Sequence, residues 1–138
     1  MLLLITFLYM IACSRSGEKS GPPRNCEEAM ERFSDALIDE DYSGAYAVTA
    51  KTFQEKVHFS DFIEKQRQLN EKTGKPDKWG IPEMGCFQTD GDHGCGIDFG
   101  HRKENGEVVP EYRCIVIERQ QDGACYLDQI DCSRKYLE

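Results

Sequence analysis

The sequence predicts an α+β fold: N-terminal helices packed on one face of a four-stranded antiparallel meander, stapled by disulfides. Three observations carry this. Apolar residues recur at helical spacing from Cys26 to about residue 73. After Pro82 the period shortens, and three turn dipeptides, Asp90-Gly91, Asn105-Gly106 and Asp122-Gly123, separate short alternating or β-branched stretches. Residues 25–138 also hold an even set of six cysteines, the signature of a disulfide framework in a small exported domain.

The chain opens on an apolar run, residues 1–13, too short for ~30 Å of hydrocarbon, which needs about 20 residues. It reads as the apolar core of a secretion signal. Met10-Ile11-Ala12-Cys13 resembles the lipobox of bacterial lipoproteins, in which cleavage precedes the cysteine and the cysteine carries lipid. Residues 1–12 are therefore expected to be a signal peptide. Cys13 is the expected lipidation site, and residues 13–24, rich in Ser, Gly and Pro, the lipidated end and its flexible tether. More than one acyl chain gives stable anchoring.

Residues 25–138 are expected to form a single domain. Asn25, three residues before Glu28, is a helix-start pattern, and Cys26, Ala29, Met30, Phe33, Ala36 and Leu37 carry the helix to about Glu40. Asp41 to Ala47 predicts a short second helix with Tyr42 and Tyr46 one turn apart, and Thr52 to Val57 another turn or two. Ser60 is the expected cap of a further helix that turns Phe62, Ile63 and Leu69 inward and ends before Gly74 and Pro76.

Hairpin register bears on the cysteines. A two-residue turn at Asp90-Gly91 sets Cys86 opposite Cys95, and a turn at Asn105-Gly106 sets Ile97 opposite Cys114 and Phe99 opposite Tyr112. A three-residue turn that uses Gly123 at positive φ puts Tyr126, Ile130, Cys114 and Val116 on one apolar face and Cys132 opposite Cys114. The expected bridges are Cys86–Cys95 and Cys114–Cys132, which leaves Cys26–Cys125 by elimination, out of fifteen pairings that six cysteines allow. Cys13 is then the odd cysteine.

Residues 25–138 carry 14 of the 17 basic and 24 of the 25 acidic residues, a net charge of −10. So acidic a domain is a poor partner for nucleic acid, whose affinity comes mostly from phosphate neutralisation. It should stand off an anionic membrane, with the small basic tether facing the headgroups.

A cadence from Ala29 to Phe62, with Asp41-Tyr42, Ala45-Tyr46, Phe53, Val57 and Phe62, resembles envelope domains of the nuclear transport factor 2-like superfamily. So does the closing run Asp122-Gly123-Ala124-Cys125-Tyr126-Leu127-Asp128-Gln129-Ile130. The resemblance implies a curved sheet wrapped by helices into a cone, often dimerising through the outer sheet face. It leaves function open, since such folds serve isomerases, dehydratases and ligand-binding domains alike.

No nucleophile elbow, phosphate loop or dinucleotide fingerprint is present. Paired CxxC or CxxH units for zinc are missing too. Asp90-Gly91-Asp92-His93-Gly94 fails the calcium-loop spacing, and His93 with His101 lacks a completing ligand set, so neither a metal nor a cofactor is expected. Alternation puts Asp98 and His101 on opposite faces of one strand, which argues against a dyad. Tyr46, Trp79, His101 and Tyr112 are the candidate pocket residues. Ile115 and Ile117 make the strand after Tyr112 apolar on both faces, so a cover is expected on the second face, a second subunit being the candidate. The expected role is an envelope lipoprotein, held by lipid at Cys13, facing the periplasm from the outer membrane and acting as a binding or assembly module. The alternative is a small-molecule isomerase or hydrolase using the cone cavity. A cystatin-type inhibitor would need a Gln-x-Val-x-Gly hairpin, which is lacking.

Overall fold

The computed structural model describes residues 21–83, 85–89 and 91–138. The expected signal peptide, Cys13 and most of the tether lie outside the described residues. Among the described residues the fold is α+β: four helices and an open, five-stranded antiparallel sheet, tied by three disulfides. No helix in that span is long and apolar enough to cross a membrane.

Helix α1, Cys26–Ile38, starts where Asn25 caps it: the extended Asn25 accepts the Glu28 amide on its side chain. It stops two residues short of the expected Glu40. Glu40 takes a left-handed φ of 57°, while the Glu40 and Asp41 amides fold back onto the carbonyls of Leu37 and Ala36. Asp41 then caps α2, Tyr42–Ala47, by accepting the Gly44 amide at 3.0 Å. Helix α3 spans Lys51–Lys56.

Helix α4 runs Phe59–Thr73 and begins one residue before Ser60, the expected cap. His58 precedes it with no side-chain cap bond; the Phe59 ring, 5.2 Å from that of Tyr46, helps seat the start through packing. Gly74 ends the helix with φ 89°.

Five strands form the sheet, one more than expected. β1, Lys78–Gly80, and β2, Cys86–Thr89, share one edge of β3, Asp92–Arg102. β4, Val108–Gln121, and β5, Ala124–Ser133, complete the order β1-β3-β4-β5, and Arg134–Leu137 closes the chain as a 3₁₀ turn. β1 escapes sequence reading because only three residues pair, between Pro76 and Pro82.

Both long hairpins contain a bulge. Phe99 faces Tyr112, but Gly100 faces Pro110, leaving Glu111 as the extra residue. Pro110 has no N–H to give the ladder, so the irregularity falls beside it. The loop before β4 is Glu104-Asn105-Gly106, closed by a bond from the Lys103 amide to the Glu107 carbonyl.

The last hairpin corrects the expected turn. Gln121 faces Ala124 across a two-residue turn in which Asp122 and Gly123 both have positive φ. The extra residue enters further along, where Ile117 faces Gln129 and Glu118 faces Leu127, so that Asp128 is the bulged one. Cys132 still faces Cys114. Tyr126, however, faces Arg119 and sits half-buried on the side away from Cys114 and Val116.

The core lies between α1–α4 and the inner sheet face, where Phe33, Leu37, Phe53, Phe62, Ile97, Phe99, Val116 and Leu127 are buried. Residues 48–50 run along the outer edge of β5: the Ala50 amide reaches the Leu127 carbonyl at 2.8 Å, and the Leu127 amide reaches the Val48 carbonyl at 2.9 Å. That segment blunts an edge that would otherwise invite further strands. On the outer face Ile115 and Ile117 are half-buried. The Phe87 and Ile117 side chains fill the space over Gly94, so this face is covered in part from within the chain.

Candidate functional site

Two cavities lie on either side of the last strand. The first is an apolar cleft of about 300 Å³ between α3, α4 and the far end of β5. Phe53 and Phe62 meet edge to face at 6.3 Å in its floor, and Val57, Leu69 and Ile130 extend it. Lys65 and Lys72, exposed and two turns apart on one face of α4, line it together with Asp131. Cleft walls therefore come from segments more than seventy residues apart, a convergence that local periodicity does not announce.

The second cavity, about 480 Å³, is polar and opens beside Gly91 and Asp92. Cys26, His93, Glu118, Arg119, Gln120 and Asp128 are among its lining residues. Glu118 points inward from β4 with its side chain 2% exposed, and pairs with His93 Nδ1 of the facing strand; His93 remains half exposed. The bulge aims Asp128 at two other elements: Thr52 donates its hydroxyl to Oδ1, and Arg119 Nε and Nη2 reach Oδ2 at 2.9 and 2.8 Å. Burial pushes the Asp128 carboxyl up, but Thr52, Arg119 and the charge of Lys56 together hold it below the ordinary carboxylate value. This charge pair is therefore committed to structure.

The residues expected to share a pocket do not meet in one. Tyr46 turns its hydroxyl inward, donating to the Val57 carbonyl at 2.7 Å, and its ring packs on Phe53, Phe59 and Phe62. Tyr112 is buried against Phe99, ring centroids 5.3 Å apart, and burial raises its hydroxyl well above the usual phenol value. Trp79 on β1 donates its indole N–H to Asp35 of α1. His101 is half-buried, 3.7 Å from Asp77. Asp98 is held by Arg113 through two bonds of 2.6 and 3.2 Å, away from His101. Neither cavity is lined by Tyr46, Trp79, His101 or Tyr112.

The disulfides are Cys26–Cys125, Cys86–Cys95 and Cys114–Cys132, the same pairs that hairpin register and elimination select. The Glu118 carboxylate lies within 4.8 Å of both Cys26 and Cys125 sulfurs. With those sulfurs bonded to each other, the trio has no thiolate to give a metal. The polar cavity thus holds hydrogen-bonded carboxylates, and the lining of the apolar cleft carries Lys65, Lys72 and Asp131. No protein-family model matches the chain, and no curated protein matches it as a relative.

Proposed function

We propose that this chain is an envelope lipoprotein, held at Cys13, whose domain binds an anionic amphiphile in the cleft between α3, α4 and β5. The observation that carries the reading is the cleft itself. Its apolar floor suits a hydrocarbon tail, and Lys65 and Lys72 stand where an acidic head would emerge. Its volume falls at the small end of ligand sites, which run from about 300 to 1,000 Å³. Order of elements and the bulged, bent meander support a nuclear transport factor 2-like domain. The pairing of the other six cysteines supports a separate use for Cys13, and the two half-buried isoleucines on the outer face leave room for a second copy there.

Titration with the fluorescent fatty acid dansyl-undecanoic acid tests the binding. A saturable rise in emission is expected, abolished by Leu69→Glu and weakened when Lys65 and Lys72 are both changed to Glu. Binding that is not saturable, or that Leu69→Glu leaves intact in a folded protein, would reject the proposal. Radiolabelled palmitate incorporated in cells by the wild type but not by Cys13→Ser would establish the anchor; equal labelling would refute it.

A further inference from the structure

The Cys26–Cys125 bridge is set unlike the other two. Cys86–Cys95 and Cys114–Cys132 each join residues already paired in the sheet, adding a covalent rung to an existing ladder. Cys26 is instead the first residue of α1, a 13-residue helix, where unpaired amides and the helix dipole favour negative charge. It is half-buried and lines the polar cavity, whereas Cys125 is fully buried. Gln120 Nε2 lies 3.6 Å from the Cys26 sulfur, a further donor toward a thiolate there. Glu118, buried within 4.8 Å of both sulfurs and with Oε1 also 3.6 Å from the Cys95 sulfur, touches His93, which reaches the solvent side of the same cavity. Cys86–Cys95 also pairs an exposed sulfur with a buried one near Glu118, but only Cys26 combines a helix start, a place in the wall of the polar cavity and a buried carboxylate close to both sulfurs of its bridge.

We propose that Cys26–Cys125 is a redox-active disulfide that exchanges with the cysteine pair of another protein, with Glu118 and His93 carrying the proton. A partner thiol gives its proton through His93 to Glu118, and the resulting thiolate attacks the Cys26 sulfur. A partner–Cys26 bond forms, the Cys26–Cys125 bond breaks, and its electron pair leaves on Cys125, which takes the proton from Glu118. The partner's second thiol, losing its proton to solvent, then attacks the partner sulfur of the mixed disulfide. Cys26 leaves as a thiolate held by the start of α1. The partner has lost two electrons and gained a disulfide; this protein holds a Cys125 thiol and a Cys26 thiolate. A disulfide-bearing partner runs the sequence in reverse.

The test incubates the oxidised, folded chain with reduced glutathione, quenches in acid at intervals, tags free thiols and maps the peptides. Glutathione is expected on Cys26 and not on Cys125, with this bridge opening about tenfold faster than either of the others while the circular dichroism spectrum is retained. Glu118→Gln should slow that opening by about tenfold or more, as loss of a positioned proton carrier does. His93→Gln should slow it less and decides the matter if Glu118→Gln does not fold. The proposal falls if the three bridges open together only in denaturant, or if glutathione lands on Cys125. It falls equally if the folded variants open at the wild-type rate.

Discussion

Trp79 Nε1 donates to Asp35 Oδ1 at 2.9 Å, joining β1 to α1 across 44 residues of sequence. It is the polar fastening of a strand only three residues long. Trp79→Phe should keep most of the ring contact but lose the bond, lowering stability by about 1 to 2 kcal/mol in urea unfolding. A double-mutant cycle with Asp35→Ala should show coupling of about 1 kcal/mol. Strictly additive losses would mean the bond contributes nothing.

Glu40 occupies a left-handed conformation at the end of α1, which an L-residue with a Cβ enters at a cost of about 1 to 2 kcal/mol. Its carboxylate meets Lys75 at 3.3 Å with both groups about half exposed, a pair worth little in water. Glu40→Gly should therefore stabilise the domain by about 0.5 to 1 kcal/mol, read as a raised urea midpoint at unchanged slope. A lowered midpoint would show that the ion pair outweighs the backbone cost.

Asp128 has its folded-state ionisation pulled below the unfolded value of about 3.9. The sign follows from linkage: its contribution is fully present above that unfolded value and is lost as pH falls through the lower, folded one. Asp128→Asn should cost about 1 to 2 kcal/mol at neutral pH, since Thr52 and Arg119 lose a charged acceptor. The gap between wild type and variant should close on going from about pH 6 to about pH 2. A gap that stays constant with pH would contradict the assignment.

Gly100 of β3 sits opposite the β4 bulge with the neighbouring backbone against it. A Cβ there would come within 1.9 Å of the Val109 carbonyl oxygen and 2.8 Å of Pro110 Cα. Backbone cannot swing away as a side chain can, so Gly100→Ala should destabilise by about 2 to 3 kcal/mol. Amide exchange measured along β3 and β4 should quicken on both sides of the bulge; unchanged protection would mean the ladder re-registers freely.

Much of this fold was legible in local chemistry. Asn25 marked α1, and the register expected from the Asp90-Gly91 dipeptide, Cys86 opposite Cys95, is the one the β2–β3 ladder has. Bulges were not legible because turn length and bulge count enter register together. Cys114 faces Cys132 whether the extra residue sits in the turn or at Asp128, and only the positive φ at both Asp122 and Gly123 distinguishes them. Tyr46 misled for a related reason: its spacing shows that it faces a neighbour but not that its hydroxyl is spent on Val57. The polar cavity drew Glu118 from β4, a residue whose burial depends on His93 across the strand pair and on sulfurs from α1 and β5. No single segment advertises that convergence.

The bond between Cys26 and Cys125 spans 99 residues of sequence, almost the whole of the described chain. It therefore fixes the route of mechanical load. A pull applied at Gly21 enters through Cys26 and passes straight into β5, at the second residue of that strand. The helices and the first three strands hang in a closed loop beside the covalent load path while the bond is intact, and Cys114–Cys132 lets β4 share the load with β5. Breaking it would reroute the same pull along α1, so an oxidation state that looks local decides which part of the molecule yields first.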